Sequence, residues 1–503
     1  MQADTEAGQT KAPMGRVVAR GAAVTMLGQG VRLLIQVLGF VLLSRLLDPQ
    51  IFGLLAMVMV VVGVGEVVRD AGLSTAVIQA THVSHAQRSN LFWINAAVGV
   101  ILAGALVAGA GVISEFYDQP ALREACLGLA LIFVLNGLST QYRASLQREL
   151  RFKALALTDV LAMFAGLCCA VGAALLGWGL WALITQYLVQ AATVLVMTLG
   201  FSRWIPGLPT RNSDMGGLLR FGWTYAGTQM INYLSRNVDS IVIGRRFGAE
   251  VLGLYDRAYQ LLTLPLNQIN GPVTKVIFPV LSKMKDDRSS FNRLLLRGQS
   301  TLLQAVAFIF SFACAFAYPI VEIVLGREWL GSAQLFQLLA ISGVVQAAAF
   351  GTYWVFLAKA LNRSNLIYTF STKALLVISV LFGSQWGVTG VAAGYSLATL
   401  VSWPIGLYWI HRISSTPVAK MAINSVRVML AYAVSALVAL FATTVLPPVP
   451  NIVELLVGVC FYLAAVTVLA VLFRSFRRDL QSVWHTRALL ARGETVSKEA
   501  DHA

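Results

Sequence analysis

Long apolar runs recur along the chain at intervals set by the thickness of a bilayer. A helix needs about 20 apolar residues to cross the hydrocarbon core. The pattern places about fourteen such spans, at 21–44, 51–69, 91–113, 121–143, 155–176, 179–202, 218–244, 251–279, 294–318, 333–358, 364–384, 387–411, 422–446 and 452–473. The strict alternation that marks a transmembrane barrel is absent from the sequence. Residues 1–20 are polar and carry Lys11, Arg16 and Arg20, and the apolar stretch from Ala22 to Leu43 follows them. That stretch is longer than the roughly 7 to 15 residues of a signal-peptide core, so it reads as a retained first span.

Polar residues interrupt three spans with helical spacing. The first carries Thr25, Gln29, Arg32 and Gln36, spaced four, three and four, which puts all of them on one face. The seventh carries Thr224, Thr228, Asn232, Arg236 and Asp239, and the eighth Asp256, Arg257, Gln260, Thr263, Asn267, Asn270 and Thr274, with Lys275 beside them. An arginine near the bilayer centre is costly unless it meets water or an anion, so these faces are expected to line a hydrated cavity. Arg32 stands out because no acidic residue lies within one helical turn of it. Purely structural readings also exist: Arg236 and Asp239 can neutralise one another, Asp256 and Arg257 can be solvated near an interface, and Lys275 can snorkel. Glu66, Arg69 and Asp70 close the second span, as a salt-bridged gate or as plain solvated charge. Pro265, Pro272 and Pro279 recur every seven residues in the eighth span, where each removes a backbone donor and predicts a kink or local unwinding.

Composition turns the helical reading into a membrane reading. Of 503 residues, 57% are hydrophobic and only 12% charged, against about 25% charged in soluble proteins. The mean hydropathy is +0.72. The chain has 38 Lys and Arg against 23 Asp and Glu, a net charge of +15 that in a soluble protein would suggest nucleic acid. In a membrane protein the same excess collects in cytoplasmic loops. With the N-terminus placed inside, the outer loops hold five basic residues (Arg45, Arg123, Arg245, Arg246, Arg327) and eight acidic ones (Asp48, Glu115, Asp118, Glu124, Glu250, Glu322, Glu328, Glu454). Ten more basic residues fall within the span bounds, several of them at span ends, which leaves 23 of the 38 in cytoplasmic segments and orients both termini inward. Trp178 and Trp386 then mark the outer interface, and Trp93, Trp204, Trp223 and Trp409 the inner one. After Arg474, the residues Phe476, Leu480 and Trp484 alternate with arginines as in a helix lying on an anionic leaflet, or as in a frayed basic tail.

The chain also resembles itself. Ser44 to Leu54 reads SRLLDPQIFGL and Gly244 to Leu254 reads GRRFGAEVLGL, so Arg45, Gly53 and Leu54 recur as Arg245, Gly253 and Leu254. Trp178, Gly179 and Tyr187 recur as Trp386, Gly387 and Tyr395. These matches predict two homologous six-helix lobes, at 21–202 and 218–411, joined by a cytoplasmic linker at 203–217. Two further helices occupy 412–473, between the 1–20 and 474–503 cytoplasmic ends. Parallel repeats of this kind place a substrate site at their interface.

Signals for catalysis are missing. His82, His85, His411, His485 and His502 all lie in cytoplasmic segments, and no P-loop or zinc-binding helix is present. Cys126, Cys168, Cys169, Cys314 and Cys460 sit in apolar stretches and read as small core residues, without metal-ligand spacing. The expectation is a transporter, not an enzyme, with neither cofactor nor metal.

The segments LSRLLDPQIFGLLAM, GLSTQYRASLQRELRF, INYLSRNVDSIVIGRRFGAEVLGLYDRAYQL and VLGREWLGSAQLFQLLAISGVVQA together resemble the Wzx-type polysaccharide exporters of the multidrug/oligosaccharidyl-lipid/polysaccharide superfamily. The similarity runs from about Arg20 to Arg474 and is nearest the colanic-acid and exopolysaccharide branch. The resemblance implies an all-α integral membrane protein, a V-shaped alternating-access bundle that flips undecaprenyl-diphosphate-linked oligosaccharide across the bacterial inner membrane. By position Arg32, Arg236 and Arg257 would make its cavity cationic, with Gln29, Gln36, Asp239, Asp256, Asn267 and Lys275 as further substrate contacts. The lipid bilayer, a polysaccharide polymerase and export machinery are the partners it implies; nucleic acid is not among them. Two competitors are a cation-coupled multidrug exporter of the same fold, which calls for unpaired acidic residues in the cavity, and a polysaccharide polymerase or ligase, which calls for a larger external loop than Pro319 to Leu330 provides.

Overall fold

A computed structural model describes residues 14–70, 84–210, 216–445, 447 and 449–481, with side chains described from 25 and, after the linker, from 226. The helices are α1 (Met14–Leu46), α2 (Pro49–Asp70), α3 (His85–Tyr117), α4 (Ala121–Arg148), α5 (Phe152–Leu175), α6 (Leu180–Phe201), α7 (Gly216–Lys283), α8 (Arg288–Ala315), α9 (Ala317–Val324), α10 (Gly331–Ala358), α11 (Asn362–Gly383), α12 (Gly387–Ile413), α13 (Val418–Thr444) and α14 (Asn451–Leu472). A short helix, α15, covers 474–481.

Among the described residues, eleven helical stretches are long and apolar enough to cross a membrane, one of them joining α11 and α12. The protein is a multi-pass membrane protein. The two arms of α7 fall outside that set because the polar faces read from the sequence dilute their hydropathy. Large apolar side chains stand outward on the helices, among them Leu34 at 65% exposure, Ile101 at 67%, Phe370 at 67% and Phe441 at 71%. In water such a surface would be a liability, whereas lipid tails solvate it at no cost.

The chain divides into two compact units, one of residues 1–237 with 248–250 and one of 238–247 with 251–503. Each carries the same turn. After α4, Glu149 is followed by Leu150 at φ 55 and Arg151 at φ −79, ψ 57; after α10, Lys359 is followed by Ala360 at φ 53 and Leu361 at φ −83, ψ 52. The backbone bonds repeat as well: Leu150 and Ala360 each donate to the carbonyl three residues back, and Arg151 and Leu361 to the carbonyl five back. Gly179 and Gly387 both adopt positive φ ahead of α6 and α12. The same torsions and turn hydrogen bonds thus recur at these two pairs of places in the chain.

The spans expected at 218–244 and 251–279 form one 68-residue element, α7, whose non-helical torsion is at Gly248, φ 84 and ψ −177. That conformation favours a residue without Cβ. Within the first unit, Ala249 of this break packs its carbonyl on Gly53 of α2, where a Cβ would stand 1.7 Å from the oxygen. The expected unwinding at the prolines is corrected: the backbone stays helical through Pro265, Pro272 and Pro279. Their seven-residue spacing keeps the missing donors on one side of the helix, so the other side carries the hydrogen-bond ladder unbroken. The outer segment expected from Pro319 is also shorter than read, since Pro319 lies inside α9.

In the first unit the linker is strapped to α3. Asn90 accepts from the Thr210 N–H at 2.8 Å and donates to the Thr210 carbonyl at 2.6 Å, Trp93 donates to the Gly207 carbonyl at 2.9 Å, and Arg88 lies 4.2 Å over the Trp204 ring. Trp204 thus acts as a packing anchor of this strap.

In the second unit, Asp287 caps α8, accepting from Ser289 N–H at 3.0 Å and Ser290 N–H at 3.2 Å. The Ser290 and Ser289 hydrogen bonds hold its carboxyl down at about 2. Because the folded value lies below the unfolded one near 3.9, the contribution is present above about pH 4 and is lost as pH falls towards 2. Asp287→Ala should accordingly lower the thermal midpoint at pH 7 and match wild type at pH 2; a deficit of the same size at both pH values would contradict this.

Phe476 of α15 is 1% exposed and meets Tyr432 at 5.5 Å between ring centroids, and Arg427 donates to Asp479 at 2.9 Å. The first turns of the tail are thus docked on α13. Trp484, His82, His485, His502 and Lys11 lie outside the described residues. Cysteine burial is corrected too: Cys126 is buried, but Cys168, Cys169 and Cys460 are exposed on helix surfaces among apolar side chains.

Candidate functional site

The first unit contains a cavity of ≈ 540 Å³ bounded by α2, α4 and α6. Its charged end is built by α2. Arg69 donates to Glu66 Oε2 at 2.8 Å, the two being one helical turn apart, and reaches across to the Asn136 carbonyl at 3.3 Å and to the Thr140 hydroxyl. Asn136 returns a hydrogen bond to Glu66 Oε1 at 3.1 Å. Glu66 and Arg69 are therefore a closed, neutral pair braced by α4, and Asp70 lines the same wall. Uncharged hydrogen-bonding groups of Ser139, Gln147, Tyr187 and Gln190 continue the lining.

Arg143 of α4 also lines this cavity, so that its charged lining of Glu66, Arg69, Asp70 and Arg143 is formally balanced. Arg143 Nη2 lies 2.8 Å from Asp159 Oδ1 of α5, while Arg32 Nη1 of α1 donates to Asp159 Oδ2 at 3.0 Å. Two guanidiniums thus share one carboxylate, leaving a formal excess of one positive charge. The arginine side chains are 41% and 43% exposed and the aspartate 17%. Arg32 consequently has an acidic partner after all, 127 residues away in sequence. Gln29 and Gln36, on the same helix, are exposed.

The second unit assembles a separate polar group on α7. Asp239 is buried and accepts from the Tyr255 hydroxyl at 2.7 Å and from the Ser240 N–H at 2.9 Å. Gln260 ties its neighbours together, donating to Asp256 at 2.7 Å and accepting from Arg257 Nη1 at 2.8 Å. Arg257 also lies 5.8 Å over the Trp329 ring. The expected neutralisation of Asp239 by Arg236 is replaced by the tyrosine contact; Arg236 is exposed and belongs to the first unit. Asn267 and Lys275 are exposed, and Thr274 accepts from Trp354 Nε1 at 3.1 Å.

Residues 42–334, more than half of the chain, match the family described as polysaccharide biosynthesis protein. The chain belongs to that family. Among curated polysaccharide biosynthesis proteins it is 29% identical over 372 residues to the lipopolysaccharide biosynthesis protein WzxC of Escherichia coli K12, covering 72% of this chain and 74% of the relative. It is 30% identical over 355 residues to the teichuronic acid biosynthesis protein TuaB of Bacillus subtilis 168, covering 68% and 71%. The fold is shared with the lipid II flippase MurJ in its inward closed conformation, with a TM-score of 0.70 at 14% identity over 91% of this chain and 99% of that one. The resemblance to Wzx-type exporters holds, and the architecture is an all-helical membrane bundle of the fold shared with that flippase.

Within this polysaccharide biosynthesis protein, Asp159 and Arg143 escaped sequence reading. Asp159 is the lone acidic residue of an otherwise apolar span, ALALTDVLAMF, which is the signal that could have raised it. Arg143 closes the span 121–143 and reads there as an ordinary flanking charge.

Proposed function

We propose that this protein moves an undecaprenyl-diphosphate-linked oligosaccharide from the inner to the outer leaflet of a bacterial inner membrane, by alternating access, for exopolysaccharide, capsule or lipopolysaccharide synthesis. The observation that carries the reading is the sharing of Asp159 by Arg32 and Arg143, two guanidiniums on one carboxylate inside apolar helices, beside a cavity whose lining includes amide and hydroxyl groups. A diphosphate cannot cross hydrocarbon unaided, and a guanidinium grips two of its oxygens at once. The uncharged groups suit sugar hydroxyls, and a polyprenyl tail can stay in the lipid. Family membership supports the polysaccharide assignment, and the 23 basic residues counted in inward segments, against five in outer loops, support termini that face the cytoplasm.

The test is reconstitution of the full chain in liposomes with a fluorescent undecaprenyl-diphosphate oligosaccharide, scored by accessibility of the glycan at the opposite leaflet. Protein-dependent translocation is the expected result. Extrusion of a cationic dye with the lipid left in its original leaflet would instead favour the drug-exporter reading.

A further inference from the structure

Arg32 and Arg143 approach Asp159 through different oxygens, Oδ2 at 3.0 Å and Oδ1 at 2.8 Å. A carboxylate held this way presents one anionic oxygen to each of two guanidiniums, as a diphosphate would present one oxygen of each phosphoryl group. A bridge built only for stability would be expected to hide its cations. Here more than two-fifths of each arginine side chain is open while the aspartate is mostly enclosed. The protein thus leaves part of each cation uncovered, and the anion between them belongs to the protein.

We propose that Asp159 is a built-in stand-in for the phosphate of the cargo: it holds Arg32 and Arg143 together in the empty protein, yields them to an incoming diphosphate, and expels that diphosphate by reclaiming them. The inference rests on the translocation reading above and assigns Asp159 a positioning and release role. Two guanidiniums against about two negative charges of a diphosphate reach neutrality, and the displaced carboxylate then adds repulsion at close range. That repulsion keeps binding weak enough for release, which any transport site requires as much as it requires capture. It also sets specificity, because a diphosphate offers one phosphoryl group to each arginine and outcompetes the bridging carboxylate, whereas a monophosphate offers only one.

The experiment uses the full-length protein in lipid nanodiscs, with inorganic pyrophosphate as probe and orthophosphate at matched ionic strength as comparator, read by calorimetry. Asp159→Asn should bind pyrophosphate about tenfold tighter than wild type, since its competitor has lost its charge, while Asp159→Glu stays within about threefold of wild type. Translocation by Asp159→Asn should slow despite the tighter binding. A folded Asp159→Asn that binds pyrophosphate no tighter than wild type overturns the inference, as does an Asp159→Glu as tight as Asp159→Asn. Should the asparagine variant not fold, Arg143→Lys decides: it keeps the charge but loses the fork, so pyrophosphate should weaken about tenfold and orthophosphate little, and an equal loss for both overturns the proposal. Failure of the translocation reading looks different, as wild type that binds pyrophosphate yet leaves the lipid-linked oligosaccharide in place.

Discussion

Arg143→Ala should slow translocation of the diphosphate-linked oligosaccharide about a hundredfold. A hydrogen bond to a charged partner contributes about 1.5 to 3 kcal/mol, and about 1.4 kcal/mol is a factor of ten. Arg143 is placed to offer two such bonds at the cavity edge, and its removal leaves Arg32 neutralised by Asp159, so the excess positive charge disappears along with the donor. Arg32→Ala removes the same excess from the other side and should cost a similar factor. The double variant should fall well short of the product of the two, because both side chains act through one carboxylate. The liposome assay checks this. Rates within threefold of wild type in Arg143→Ala would place cargo binding elsewhere.

Gly53→Ala should sharply reduce the yield and stability of folded protein. The added Cβ would stand 1.7 Å from the Ala249 carbonyl oxygen, 2.5 Å from its carbon and 3.0 Å from its Cα, all backbone atoms with no flexible end to swing aside. Relief requires moving the break around Gly248 away from α2, and overpacking of this kind typically costs about 1 to 3 kcal/mol, with rigid contacts at the upper end. Thermal unfolding of the detergent-purified variant, followed by size-exclusion fluorescence, should show a fall of several degrees and loss of the monodisperse peak. An unchanged melting curve would mean that the contact between Gly53 and Ala249 is not maintained in the folded protein.

The bilayer made most of the fold legible. Lipid accepts no unpaired backbone, so each run of about 20 apolar residues had to be a helix, and the expected spans from 51–69 to 452–473 match elements of α2 through α14, except that two of them merge in α7 and the short α9 answers to none. Turns were less legible, because Pro319 punctuates a soluble loop but also suits the first turn of a short helix such as α9. The prolines fixed less than expected: three of them on one side of α7 interrupt the hydrogen-bond ladder without unwinding the helix, while Gly248 supplies the non-helical torsion. The candidate site was legible by half. Helical spacing singled out Arg32 because a face is a local property, and the Glu66 and Arg69 pair was visible at three residues' separation. Pairing across α1, α4 and α5 is not local, so neither Asp159 nor the buried bond from Tyr255 to Asp239 had a spacing to betray it.

The distance in sequence between Arg32 and Asp159 also has a consequence for biosynthesis. The chain emerges from the ribosome in order, so α1 must enter the bilayer with its arginine uncompensated and wait for 127 more residues before the matching carboxylate is made. On the scale measured for insertion, a central arginine costs about 2.5 to 3.5 kcal/mol, which the apolar remainder of α1 must outweigh in the meantime. Arg143 arrives earlier, on α4, and adds a second unmatched cation. The arrival of α5 brings the carboxylate that neutralises one of the two.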